Sequence, residues 1–303
     1  MLRHTFLFLS RRQTLRRWME TSATAALLTR RFIAGKTLED VLAVVRRLHQ
    51  QGFRASLDHL GENVCSEEEA EEARAAYESA LQALASLGLG ATISVKLTQI
   101  GLDLGEDLCL NNARRLVELA RLTGARVEID MESSGYTAST LRIVEQLHEE
   151  TRSVRAVIQA YLYRSEQDIR RLTALRVPVR LCKGAYDEPP SVAMAAKAAV
   201  DANYLKLARI LLEEGEDPAL ATHDPAMVRD ALEFVRRNGR GAATFEFQML
   251  YGIRRDLQEQ LRSDGWRVRL YVPYGNAWYP YFMRRLAERP ANVFFIARNL
   301  LRA

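Results

Sequence analysis

Thr92-Ile-Ser-Val-Lys-Leu97 and Arg126-Val-Glu-Ile-Asp-Met131 are short β-rich runs, separated by an amphipathic stretch that Gly124 closes. Residues of this type in a short run favour a pleated strand, and the longer segment between them has room for a helix. Working outward, Phe53–Leu57 precedes this unit, and Val154–Leu162, Val177–Cys182, Pro218–Thr222, Ala242–Phe247 and Trp266–Val272 follow it. Each run is separated from the next by a helix-sized segment. Eight successive β-then-α units predict an α/β fold, a distorted (βα)8 barrel of the TIM type, rather than an open sheet, whose first turn would normally carry a Gly-rich phosphate loop. No GxGxxG occurs.

Helix punctuation agrees with this count. Ser66 stands before Glu67, Glu68 and Glu69 as an N-cap with acids in the first turn, and Gly88, Gly124 and Gly239 stand where helices should stop. Ahead of the barrel, Leu38, Val41, Leu42, Val45 and Leu48 line one helical face. The expected organisation is an N-terminal helical arm over residues 1–50 and a catalytic barrel over 51–303.

The chain has 303 residues, 48% hydrophobic and 27% charged, which suits a folded protein with a sizeable core. Its net charge of +5 is concentrated at the start, where residues 1–36 hold eight Arg or Lys against one acid, Glu20. A basic arm of this kind suits a solvated helix face or contact with an anionic surface. No groove-reading motif accompanies it, so no nucleic-acid partner is expected. No apolar run reaches the roughly 18 residues of a membrane-spanning helix, which leaves a cytoplasmic location and peripheral contact with the inner face of the membrane as the expectation. Cys65, Cys109 and Cys182 show neither paired nor metal-type spacing, so neither a disulfide nor a metal site is expected.

In a barrel of this type the functional face lies at the C-terminal ends of the strands. Every such end here is polar: Asp58-His59-Leu60-Gly61-Glu62, Ser94-Val95-Lys96, Glu128-Ile129-Asp130-Met131-Glu132, Gln159 with Tyr161, Arg180-Leu-Cys-Lys183-Gly184-Ala185-Tyr186, Thr222-His223-Asp224, Glu246-Phe-Gln248-Met-Leu250 and Tyr271-Val-Pro-Tyr274-Gly275. A single ionisable residue at a strand end is commonly structural. Eight furnished ends together would cost several kcal/mol to bury without a ligand, so the barrel mouth is read as a site. After the eighth strand, Tyr281, Arg284, Arg285 and Glu288 fall at steps of three and four on one helical side. Two adjacent guanidinium groups can cradle a carboxylate, and the same spacing equally suits a surface helix paired to Glu288.

Tyr271-Val-Pro-Tyr-Gly, followed by Tyr281-Phe-Met-Arg284-Arg285-Leu-Ala-Glu288-Arg289, resembles the closing signature of proline dehydrogenases. Leu-Asp58-His-Leu-Gly-Glu62, Ser-Val-Lys96-Leu, Ile-Asp130-Met-Glu132, Gln159-Ala-Tyr, Arg180-Leu-Cys-Lys183-Gly-Ala-Tyr186, Ala-Thr-His223 and Glu-Phe-Gln248-Met-Leu250 resemble the same family's strand ends in order, over residues 53–290. The resemblance is to the single-function bacterial form. It implies a barrel holding FAD that oxidises L-proline to Δ1-pyrroline-5-carboxylate and passes electrons to a membrane quinone.

It also implies roles for individual residues. Arg284 and Arg285 would hold the proline carboxylate with the help of Lys96, while Tyr271, Tyr281, Ala185, Tyr186 and Leu250 enclose the ring. Asp130 would lie beside the substrate, completing a catalytic set of Lys96, Asp130, Tyr271, Tyr281, Arg284 and Arg285. On the flavin side it places Gln159 and Arg180 against the ring system, with Lys183, Gly184, Thr222, His223 and Gln248 along the rest, and Asp130 and Ala185 in reach. Glu62 would pair with Arg284 as a gate. Two other readings stay open from the residues alone. One is a flavin barrel of the methylenetetrahydrofolate reductase kind, and the other a membrane-surface module built on the basic arm.

Overall fold

Alternation within each strand sorts the side chains to the two sides of a closed sheet. The structure is a computed structural model that describes residues 29–61 and 63–288, the last five of these as backbone alone. Eight parallel strands close in sequence order: β1 (Arg54–His59), β2 (Thr92–Lys96), β3 (Val127–Asp130), β4 (Val154–Gln159), β5 (Val179–Cys182), β6 (Ala219–Ala221), β7 (Glu246–Leu250) and β8 (Val268–Tyr274). β8 returns to β1 in register from Arg54 opposite Arg269 to His59 opposite Tyr274.

Helix α1 (Leu38–Gln50) precedes the barrel. The others follow successive strands: α2 (Glu67–Ser86), α3 (Glu106–Leu122), α4 (Thr137–Thr151), α5 (Ser165–Ala174), α6 (Lys197–Glu214), α7 (Pro225–Arg237), α8 (Arg255–Ser263) and α9 (Trp278–Glu288). The expected (βα)8 order is therefore present. Ser66 caps α2 by accepting the Glu69 N–H at 3.2 Å, and Gly88, Gly124 and Gly239 take the left-handed conformation just beyond three helices.

Leu57, Ile93, Val95, Ile129, Ile158, Leu181, Phe247 and Leu270 belong to the apolar core shared by the strands and the surrounding helices. Val41, Val45 and Leu48 of α1 join this core, so that helix packs on the barrel rather than standing away from it. Burying these residues supplies the main driving force, about 25 cal/mol per Å² of apolar surface.

Most strand boundaries differ from the sequence expectation by one or two residues, and three, the end of β4 and both ends of β7, by three or four. β7 begins at Glu246 instead of Ala242, because Thr244 folds back to donate both its N–H and its hydroxyl to the Gly241 carbonyl. β4 stops at Gln159, where the Leu162 N–H closes a turn onto the Gln159 carbonyl. Among the described residues no helix is long and apolar enough to cross a membrane. Cys65, Cys109 and Cys182 are free thiols.

Candidate active site

The inward side of the strands is charged, and its charges are stacked in layers. Nearest the N-terminal end, the buried Arg155 guanidinium donates to Glu128 at 2.6 Å, Glu246 at 2.7 Å and Asp217 at 2.8 Å. Arg269 donates to Glu246 from Nε at 2.8 Å. One step higher, Arg180 donates to Glu128 Oε2 at 2.6 Å, Gln248 Oε1 at 3.1 Å and Ser94 Oγ at 3.2 Å. Burial alone would raise the Glu128 and Glu246 pKa values; the surrounding guanidinium groups outweigh it and hold both below the ordinary carboxylate range.

The top layer is the floor of the barrel mouth. Asp130 receives the Tyr271 hydroxyl at 2.7 Å on Oδ2, the Lys96 ammonium at 3.5 Å on the same oxygen, and Arg180 on Oδ1. Lys96 also donates to Asp58 Oδ1 at 3.1 Å. The Arg180 guanidinium lies 5.4 Å from the centre of the Tyr271 ring. Burial would lower the Lys96 pKa, but the Asp58 and Asp130 carboxylates more than reverse this and raise it above its ordinary value. Burial, then Asp130 and Asp58, push the Tyr271 phenol well above its ordinary value, so it stays a hydrogen-bond donor.

The rim is built by β4, β5 and β6. The buried Gln159 donates to the Glu132 carbonyl at 2.8 Å and accepts the Ala185 N–H at 3.4 Å, tying the loop after β5 to the end of β4. Lys183 stands between Asp201 at 2.5 Å and Asp224 at 3.1 Å. Thr222 Oγ1 accepts the Asp224 N–H, and His223 Nε2 accepts the Leu250 N–H at 2.8 Å, which leaves Nδ1 to carry the ring proton in the neutral form. Further along the same loop, Glu188 receives the Ser134 N–H at 2.6 Å and the Ser134 hydroxyl at 2.5 Å, a two-point tie between the β5 and β3 loops.

Gly184 has φ +119°, and a Cβ there would run into the Tyr161 ring. Gly184→Ala should therefore destabilise the protein by about 1–3 kcal/mol, read by urea unfolding. An unchanged unfolding midpoint would refute the close packing at this loop.

α9 seats on the mouth through Trp278, Tyr279, Tyr281, Phe282 and Met283, which cluster with Phe32, Ile33, Leu60 and Ile253; Leu250 packs against this group. Leu250, the register partner of Tyr271 on β8, thus packs against the cluster that contains Tyr281. Tyr186 is half-buried and close enough for its phenol to act on the Lys96 charge. Of the residues expected at a flavin, Gln248 turns its side chain into the buried layers, donating to Glu128 at 2.8 Å and Glu246 at 2.9 Å, while Arg180 spans from Glu128 below to Asp130 in the floor. The expectations attached to Glu62, to the side chains of Arg284, Arg285 and Glu288, and to residues 1–28 of the basic arm lie outside the described residues.

Reading strand ends alone missed the depth of the charged interior. Arg155, Glu246 and Arg269 attracted no role, and Asp58 was seen only as part of a motif. A signal existed in Glu246-x-Gln248 and Arg267-x-Arg269-x-Tyr271, where polar or charged residues recur at period two. Barrel interiors of this type are ordinarily filled by Val, Ile and Leu. Among the described residues no cluster of His, Cys, Asp or Glu is arranged to hold a metal ion.

A family model described as proline dehydrogenase matches residues 41–298. The chain is 43% identical over 302 residues to proline dehydrogenase 1 of Bacillus subtilis (strain 168), covering 100% of both chains. It is 41% identical over 280 residues to the proline dehydrogenase of Deinococcus radiodurans, covering 91% of this chain and 90% of the other. Among solved structures, proline utilization A from Bdellovibrio bacteriovorus, inactivated by N-propargylglycine, aligns with a TM-score of 0.82 at 26% identity over 87% of this chain and 33% of that one. An eight-stranded parallel barrel, a floor of Lys96, Asp130 and Tyr271, and a family match over nearly the whole length lead to one conclusion: the chain belongs to the proline dehydrogenase family.

Proposed function

We propose that this protein is an FAD-dependent L-proline dehydrogenase that produces Δ1-pyrroline-5-carboxylate, the first step of proline catabolism to glutamate. The observation that carries the reading is the floor. A fixed ammonium on Lys96, a phenol on Tyr271 and the Asp130 carboxylate that joins them lie at the C-terminal mouth of the barrel, where Leu250, the register partner of Tyr271, packs against the apolar cluster that contains Tyr281. Such a pocket has one end for a carboxylate and a wall for a saturated ring, as a cyclic amino acid requires.

The donor set on the adjacent strand ends fits a flavin. Gln159, Lys183, Thr222 and His223 offer amide, ammonium, hydroxyl and imidazole groups along β4 to β6, suited to a ring with carbonyl and ring-nitrogen acceptors and to a pyrophosphate. When bound, the flavin supplies the two-electron acceptor. The chain's own residues position the substrate: Lys96 together with Arg284 and Arg285 takes the carboxylate, and Tyr271, Tyr281, Tyr186, Ala185 and Leu250 surround the ring and exclude water. Arg180 sets a buried positive charge under the floor, which favours negative charge developing above it. Glu62 serves as the gate partner of Arg284. Passage of the electrons to a membrane quinone, with the protein in the cytoplasm and in peripheral contact with the membrane's inner face, draws its support from the basic stretch over residues 1–36.

The visible spectrum tests this directly. Purified protein should be yellow, and anaerobic L-proline should bleach the flavin bands. Protein that stays colourless and inactive after FAD is added would overturn the reading, and reduction by NADH with no response to proline would replace it with another flavin barrel.

A further inference from the structure

Asp58 on β1 has no place in the expected substrate or flavin set, yet it is among the most confined charges in the barrel. The residue is 1% exposed. Its Oδ1 accepts from Lys96 at 3.1 Å, while its Oδ2 is buried with no hydrogen-bond partner. The groups that act on it are Lys96 from β2, Asp130 from β3, and Tyr271 and Tyr274 from β8, with Tyr77 of α2 and the neighbouring His59 behind. Lys96 is the only cation that it contacts among the described residues, and the Tyr271 hydroxyl has its one proton on Asp130.

A desolvated carboxylate held by a single ion pair is tied to its partner. Loss of the Lys96 proton would leave Asp58 and Asp130 facing each other in a dry site, and like charges there strongly oppose ionisation. We propose that Asp58 is a positioning residue that acts through Lys96, keeping the ammonium charged and fixed in place so that it serves as a permanent anchor for the substrate carboxylate and not as a proton acceptor. The proposal rests on the proline dehydrogenase reading and assigns within it a task to a residue outside the expected site. Burial raises the Asp58 pKa against the lowering effect of the Lys96 ammonium, while burial would lower that of Lys96 and the two carboxylates more than reverse it.

Asp58→Asn separates charge from shape. The amide oxygen can still accept from Lys96, and the amide nitrogen takes the place of an oxygen that receives no hydrogen bond. The readout is calorimetric affinity for the ring-oxygen analogue of proline, tetrahydrofuran-2-carboxylate, measured on the flavin-loaded protein across pH. Four proteins form a double-mutant cycle: native, Asp58→Asn, Lys96→Met and the pair.

In the native protein the affinity should stay flat on the alkaline side. Asp58→Asn should weaken binding about tenfold at neutral pH, raise KM for proline more than it lowers kcat, and introduce a basic limb between about pH 8 and 10 as the buried ammonium loses the nearer of its two counter-charges. In the Lys96→Met background the Asp58 substitution should change affinity by less than about twofold. An equal loss in both backgrounds, or native affinity with no basic limb in Asp58→Asn, would overturn the proposal. Should Asp58→Asn not fold, a basic limb in the native protein between about pH 8 and 10 would overturn it, and a flat native profile would uphold it. Bleaching of the native flavin by proline is the separate control: its failure would count against the enzyme reading and leave the Asp58–Lys96 coupling to be judged on analogue binding.

Discussion

Arg284→Met and Arg285→Met are each expected to raise KM for proline and lower kcat/KM by about 30- to 1000-fold, corresponding to about 2–4 kcal/mol for a desolvated charged contact. The helix that carries these residues, α9, follows β8 directly, and five side chains from Trp278 to Met283 hold its first turns against Leu60, Leu250 and Ile253. Helical spacing puts positions 284 and 285 one turn beyond Tyr281, on the side that Tyr281 occupies. Methionine preserves length and apolar packing while removing the charge and the fork of donors. Steady-state kinetics with flavin content measured alongside gives the answer, since a loss of flavin would imitate a loss of substrate affinity. Unchanged KM in both variants would remove the carboxylate clamp from the proposed function.

Glu246→Gln should produce the largest loss of stability, about 3–5 kcal/mol, because it leaves two buried guanidinium groups short of counter-charge. Glu246 is 1% exposed and receives Arg155 at 2.7 Å, Arg269 at 2.8 Å and Gln248 at 2.9 Å. An amide oxygen can still accept from these donors but cannot neutralise either guanidinium, and its own NH2 would face cations. Thermal and urea unfolding would measure the effect, and a loss below about 1 kcal/mol would show that solvent reaches this layer.

The same carboxylate sets a pH dependence whose sign follows from its partners. The folded-state pKa values of Glu246 and Glu128 are held below their ordinary value by arginines that do not titrate. Their stabilisation is fully present above the unfolded value of about 4.3 and is lost as pH falls through the folded values. Native protein should therefore weaken below about pH 4, and Glu246→Gln should show a shallower slope there.

Much of the architecture was legible locally. Eight short β-rich runs, each followed by a helix-sized segment, fix the order of elements, and Ser66, Gly88, Gly124 and Gly239 mark helix ends by chemistry that needs no distant partner. The expected boundaries at Ala242 and Leu162 were misplaced because both lie in turns whose closing hydrogen bonds leave no trace in apolar pattern. The polar strand ends were legible for the same reason as the strands. Lys96, Asp130, Gln159 and Tyr271 interrupt apolar runs at the places where a barrel opens.

The sequence by itself determined the βα repeat, the ring of polar strand ends and the family, because each depends on residue type and spacing along the chain. Only the tertiary structure decided partners. Asp58, Lys96, Asp130, Arg180 and Tyr271 come from five different strands, and closure of β8 onto β1 brings Tyr271 beside the first three. Periodicity places a side chain on the inner face of a strand, but it cannot say which charge will lie across from it. Inside a desolvated barrel that opposing charge sets whether Lys96 stays an ammonium, whether Arg180 faces the mouth or the buried layers, and whether Asp58 is a bystander or the counter-charge of the anchor.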